Sequence, residues 1–234
     1  MKRLLLLLIA GTAVSAQTSL EFEAVWKKKF RPDRNGVLRI GDRGLTFQTG
    51  GTDGRERAWP YADIQHFDRL SDSEIEIRSY EDSAWRLGLD RRYRFVLKDG
   101  GLGDDIHREI VRLVGKPATN RVVAEPPDAD LEIPVKHLRQ GGSSHGTLFF
   151  TAERIVYSSA EPKRSREWML DRDVDAVWSS DPYRLEVHAF DGRDGYLRQP
   201  TTYRFALKRA LDRGFYQRLK MKLYDLERRR SSLR

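Results

Sequence analysis

A chain of 234 residues with no cysteine cannot hold disulfides, thiolate metal sites or a cysteine nucleophile. Its stability must come from apolar cores, and the length suffices for two of about 100 residues each. The formal charge of +8 is unevenly placed: without Lys2 and Arg3 it is +6, residues 208–234 carry ten Lys/Arg against Asp212, Asp225 and Glu227, and residues 17–207 sum to −1.

The chain opens Met1-Lys2-Arg3, runs through an aliphatic stretch over residues 4–10, and reaches the small residues Val14-Ser15-Ala16. A basic start, a short apolar run and small residues describe a secretory signal over residues 1–16, cleaved before Gln17. The alternative, an uncleaved anchor, needs roughly 20 apolar residues. The expected location is periplasmic or secreted, and the absence of cysteine fits a bacterial envelope.

Beyond the leader the chain contains one pattern twice, 110 residues apart. Tyr93-Arg94-Phe95-Val96-Leu97-Lys98 returns as Tyr203-Arg204-Phe205-Ala206-Leu207-Lys208, and Ile75-Glu76-Ile77 as Leu185-Glu186-Val187. Residues 36–47 pair without a gap with 146–157. Solenoid repeats have periods of about 20–50 residues, so this period predicts a duplicated domain. The expected units are 17–115 and 131–234, joined by a linker over 116–130 that holds Pro117, Pro126 and Pro127.

In chain order each unit starts with an extended segment, over 20–30 or 131–138. A turn follows at Asp33-Arg34-Asn35-Gly36 or over 141–146. Asn-Gly between extended runs signals a hairpin whose central residues take positive φ. A calcium loop at Asp33 lacks its distal ligands. Next come hairpins over 37–47 and 147–157, then Trp59 with Asp63-Ile64, or Trp168 with Asp173-Val174. The tryptophans read as core, and the aspartates as Asx-type acceptors of backbone N–H where a strand turns. Three further strands are expected per unit: 75–78 or 185–188, a middle one near Trp85-Arg86-Leu87 or Tyr196-Leu197, and 93–97 or 203–207. A helix closes each unit. The first carries Ile106, Ile110, Leu113 and Val114 on one stripe and stops at Gly115; the second carries Phe215, Leu219, Leu223 and Leu226.

Strands first and one helix last, twice, predicts a mainly β (α+β) protein. The second unit reads Gly146-Thr147-Leu148-Phe149-Phe150-Thr151, Arg154-Ile155-Val156-Tyr157, then Trp168 with Asp173-Val174-Asp175-Ala176-Val177. These residues resemble pleckstrin-homology-type domains, and more closely their GRAM variant. The resemblance implies two barrels, each of about seven antiparallel strands capped by a C-terminal helix. It departs from many pleckstrin-homology domains in having no tryptophan in either terminal helix.

No catalytic set emerges. His66, His107, His137, His145 and His188 make no close ligand pair, Ser143-Ser144-His145 has no nucleophile elbow, and no phosphate-cradling glycine loop precedes a helix. The reading is therefore non-enzymatic, without cofactor or metal. Two basic features point to function. Lys27, Lys28, Lys29, Arg31, Arg34 and Arg39 surround the first hairpin, where the resemblance implies an anion-gripping site; the competing reading is an edge strand protected by lysines. Arg218, Lys222, Arg228, Arg229 and Arg230 line the last helix, where each cation near an anionic bilayer is worth roughly 1 kcal/mol. Two functions follow: a peripheral adaptor on an anionic membrane or envelope polymer, or a scaffold that takes a partner peptide at a barrel edge or helix groove. Nucleic acid is disfavoured, since no base-stacking aromatics accompany the tail.

Overall fold

The computed structural model describes residues 19–29, 31–51, 54–83, 86–191 and 199–232, with no side-chain description at 83 and 86–89. The proposed leader, Trp85 and Tyr196-Leu197 lie outside these residues. The first half contains β1 (Leu20–Lys27), β2 (Arg34–Gly41), β3 (Gly44–Thr49), β4 (Glu56–Pro60), β5 (Ile64–Ser71), β6 (Glu74–Ser83), β7 (Arg86–Leu97) and α1 (Asp104–Val114). A short strand β8 (Ala118–Asn120) follows. The second half contains β9 (Leu131–Arg139), β10 (Gly142–Phe150), β11 (Arg154–Ser159), β12 (Arg166–Met169), β13 (Val174–Trp178), β14 (Arg184–Ala189), β15 (Thr201–Leu207) and α2 (Arg213–Ser232).

Strands β1, β9 and β15 alternate buried with more exposed positions, as the period-2 pattern demands, whereas β5 and β8 are buried on both faces near the middle of the sheet. Two apolar clusters result. One is built on Trp26, Leu38, Phe47, Trp59, Phe67 and Phe95, the other on Ile133, Leu148, Phe150, Tyr157, Trp168 and Phe205. Trp59 and Trp168 are both fully buried, as expected of core residues. Ile110 and Val114 of α1 enter the first cluster, and Leu219 and Leu223 of α2 the second.

The expected pair of barrels is not what forms. All fifteen described strands belong to one open sheet, in the order β13-β14-β15-β9-β10-β11-β12-β8-β5-β6-β7-β1-β2-β3-β4. Neither seven-strand run closes on itself among the described residues, so the helices cover apolar clusters on a sheet and cap no barrel. The segment expected to be a linker is what joins the two runs into one sheet. Proline removes only its own donor, and here the prolines flank a strand without interrupting it. β8 pairs in parallel with β5 (Phe67↔Ala118, Asp68↔Thr119, Arg69↔Asn120) and antiparallel with β12 (Glu167↔Asn120). It stitches an edge of each half together. Asp173 locks the join: its carboxylate accepts from Ala118 N at 3.1 Å, Met169 N at 2.9 Å and the Arg172 guanidinium at 2.7 Å. The Met169 bond runs back four residues to the end of β12, so it is a backbone N–H contact but not the Asx turn expected. Its counterpart Asp63 is exposed in a 3-10 turn, with no strand laid against it.

Two local expectations also change. Arg34, Asn35 and Gly36 lie inside β2, and the turn is the preceding loop, closed by Asp33 accepting from Lys28 N at 3.0 Å. In the second half the turn is tighter, with Arg139 paired to Gly142 around Gly141 at φ +80°. Finally, β7 runs unbroken from Arg86 to Leu97, so the middle and last strands expected of the first unit are one.

Candidate anion-binding surface

Trp26, Trp59 and Tyr93 project from β1, β4 and β7 into one aromatic group. Trp26 lies 6.0 Å from Trp59 and 5.5 Å from Tyr93, and Trp59 lies 4.7 Å from Tyr93. A cation stands two residues outward from each ring: Lys28 after Trp26, Arg57 before Trp59, Arg91 before Tyr93. In a strand, residues two apart share a face, so each cation is brought to the aromatic group, Arg57 lying 5.6 Å from the Trp59 centroid and nearer still to Tyr93. Lys28 Nζ sits 3.1 Å from the Trp26 ring centroid; the Arg57 guanidinium carbon lies 4.8 Å from that of Tyr93, and that of Arg91 lies 5.6 Å from it. Such placement over an aromatic face favours the charged form.

The electrostatics show how crowded this end is. Burial first, and then the positive charges of Arg34, Arg91, Arg57 and Arg31, push the Lys28 ammonium down to about 8. Glu81 is the carboxylate that answers them. It accepts from Arg57 and, at 2.8 Å, from the Tyr93 hydroxyl, with Arg91 at 3.6 Å. Burial acts to raise its pKa, but these partners hold it below the usual range. Burial, with the bond to Glu81, pushes the Tyr93 hydroxyl up to about 12. Two of these cations thus meet Glu81, and Arg31 and Arg34 add their charge beside Lys28.

Of the residues expected here, Lys28, Arg31 and Arg34 join the cluster. Lys27 is paired with Asp33 at 2.7 Å, and Lys29 is exposed in the same loop. Arg39 is engaged on the sheet face, with Glu21 at 2.7 Å and Gln48 at 2.8 Å. Arg57 and Arg91 were missed because they are distant in sequence. Their signal was the recurring cation-x-aromatic spacing.

The second half supplies an internal comparison. Its framework repeats in Trp168 and Tyr203, 4.6 Å apart, with His137 in the place of Trp26. The charges repeat only in part, with Lys28 returning as the exposed Arg139. Ser144 pairs with His137 as Arg34 pairs with Trp26, and it is buried, 2.8 Å from the Tyr157 hydroxyl. Thr201 stands where Arg91 does. Arg166, the counterpart of Arg57, is buried and donates to the carbonyls of Lys163 at 3.0 Å and Ser165 at 2.6 Å. Asp191, the counterpart of Glu81, is buried and accepts from Tyr203 at 2.6 Å. Among the described residues, Arg34 and Arg91 of the first end give way to Ser144 and Thr201 in its duplicate, and Arg166 turns inward.

The cations of α2 divide similarly. Lys222 donates to the Ala152 carbonyl, and Arg230 to the Leu170 and Val174 carbonyls at 3.3 and 3.2 Å. Arg218, Arg228 and Arg229 are exposed. Between α1, the linker, the β10–β11 turn and α2 lies a cavity of about 1200 Å³. Its lining mixes both signs, and His107 faces it, buried, with Nε2 unpartnered. Burial first, then Arg69 and Arg172, lower this imidazole to about 4. No grouping of His, Asp and Glu among the described residues could hold a metal ion, and no described helix is long and apolar enough to cross a membrane.

No family model and no curated protein matches the chain. Among solved structures it is similar to the C-terminal domain of an unknown protein from Leishmania infantum, at 16% identity over 44% of this chain and 88% of that one, with a TM-score of 0.32. It is also similar to a chain of the Spt16D Pob3N heterodimer, at 13% identity over 83% of this chain and 98% of that one, again with a TM-score of 0.32. Likenesses this loose assign neither fold nor function.

Proposed function

We propose that the protein is a non-enzymatic binding module of the cell envelope, a peripheral adaptor that seats an anionic membrane surface on the open end of its first half. The observation that carries this reading is the gathering of Lys28, Arg57 and Arg91 over the Trp26 and Tyr93 rings, with Arg31 and Arg34 acting on Lys28, at an end where Ser144 and Thr201 replace two of these cations in the duplicate. Clustering cations costs stability through self-repulsion. The second half builds the same framework with fewer cations, so the extra charge of the first half is available to something outside the chain. The secretory leader proposed for residues 1–16 would place that target outside the cytoplasm. The exposed Arg218, Arg228 and Arg229 add a second, weaker contact.

The test is flotation of protein beginning at Gln17 with anionic and with zwitterionic vesicles, at low and high salt. Binding to anionic vesicles only, reduced by salt and lost in Lys28→Glu/Arg31→Glu/Arg34→Glu, supports the reading. Arg228→Glu/Arg229→Glu should weaken it less. Absence of binding with vesicles but salt-sensitive retention on a soluble envelope polyanion would move the target from lipid to polymer. Absence of both would sink the proposal.

A further inference from the structure

The halves differ most at the outer edge of their fifth strands. β5 is covered there by β8 in parallel, extended by Arg121 N donating to Arg69 O at 3.0 Å. Its counterpart β13 is the terminal strand of the whole sheet. Registers fix the correspondence: Phe67 pairs with Ile77 as Val177 pairs with Val187, and Asp68 with Glu76 as Trp178 with Glu186. The helices correspond too, since His107 N donates to Gly103 O as Tyr216 N donates to Asp212 O.

What occupies the equivalent positions has changed in a consistent way. Asp68 is 7% exposed and receives Arg121 Nη2 at 2.7 Å from the residue just beyond β8. Trp178, in its place, is 52% exposed. Val111 is buried in the cluster that includes Ala118 of β8; Lys220, in its place, is exposed and lies over the Tyr216 ring at 5.6 Å. Arg230 donates to Val174 O, and Ser179 N, at the position of Arg69, donates to the Tyr216 hydroxyl at 3.1 Å, a bond that a strand in the register of β8 would displace. Between them lies a strand edge framed by a tryptophan and a lysine.

We propose that this β13 edge takes an extended segment of a partner protein in parallel, as β5 takes β8, with an apolar side chain on Trp178 and a carboxylate on Lys220. Backbone bonds along the edge would supply affinity and the two side chains the selectivity. An apolar side chain fits because the Asp68–Arg121 ion pair of the first half is replaced by an indole face. An acidic one fits because a lysine stands where the first half has a valine. The proposal is independent of the membrane reading, which rests on the other half.

The experiment uses the full chain and a fluorescein-labelled nine-residue peptide followed by anisotropy. The peptide keeps the Ala-Thr-Asn of β8, with leucine at the Arg121 position and glutamates at both ends. Saturable binding is expected, weakened about tenfold by Trp178→Ala, as for loss of one aromatic contact, and about fivefold, in a salt-dependent way, by Lys220→Glu. Peptides with lysine ends, or with proline in place of the central threonine, should bind at least tenfold more weakly. Both substituted residues are on the surface, so an unchanged Tm is expected and checks that each variant is folded. No binding of the glutamate peptide at about 1 mM, a Kd too weak for a specific site, would overturn the proposal. So would undiminished binding of the proline peptide or undiminished binding by a folded Trp178→Ala variant.

Discussion

Lys116 and Arg230 hold the same place in the two halves by different routes. Lys116 Nζ donates to Ala62 O at 2.6 Å and Ile64 O at 2.9 Å; Arg230 donates to Leu170 O and to Val174 O, the counterpart of Ile64 O. One cation follows its helix and the other belongs to it. Each satisfies carbonyls at the start of the fifth strand of its half.

Arg230 should therefore behave as a structural residue. Arg230→Ala and Lys116→Ala are each expected to destabilise by about 1–2 kcal/mol, the range for charged hydrogen bonds discounted for partial exposure. Arg228→Ala and Arg229→Ala should fall within about 0.5 kcal/mol of wild type. Urea titration of the four variants separates the groups. Equal effects would show that the whole basic run acts as one solvated tail.

Gly36 and Gly146 show how far the sequence could be read, and where it stopped. Their alignment 110 residues apart disclosed the duplication, and strand alternation disclosed most of the strands and the buried tryptophans. The reading of Gly36 as a turn residue failed, because it lies inside β2 without positive φ. A Cβ on Gly36 would stand 2.1 Å from Gln48 O, and one on Gly146 2.1 Å from Ser158 O. These glycines permit close approach of neighbouring strands, a tertiary demand that local spacing does not reveal. The joining of the halves through β8 was hidden for the same reason: a three-residue strand directly after Pro117 carries no periodicity. Gly36→Ala and Gly146→Ala should each cost at least about 1–3 kcal/mol by overpacking, and unfolding midpoints in denaturant will show it.

His66 and His107 make the join sensitive to acid. His66 Nε2 lies 3.1 Å from Thr119 Oγ1 of β8, and burial, then Arg78, lowers its imidazole to about 3. Both groups have folded values below the ordinary 6.5, so the unfolded chain binds protons more readily. Their contribution is complete above 6.5 and is lost as pH falls toward 4 and 3. Asp68 and Asp173, whose carboxyls burial pushes up, act in the opposite sense. Comparison with His66→Gln and His107→Gln isolates the histidines: both variants should lose less stability than wild type between pH 6.5 and 4. Parallel curves would remove the histidines from the acid response.

Glu81 offers the sharpest test of the cationic end, because its removal should move stability and binding in opposite directions. Its carboxylate holds Arg57 and the Tyr93 hydroxyl and partly neutralises Arg91. Glu81→Gln keeps the size, leaves the cations without their counter-charge and should destabilise by about 1 kcal/mol, discounted for an exposed pair. The same loss adds about one effective positive charge to the surface, worth roughly 1 kcal/mol toward an anionic bilayer. Partitioning onto anionic vesicles should therefore rise about fivefold at low salt, and the gain should vanish at high salt as exposed charges are screened. A fall in both stability and partitioning would mean that Glu81 only orders the end, and that its order, more than its charge, governs contact.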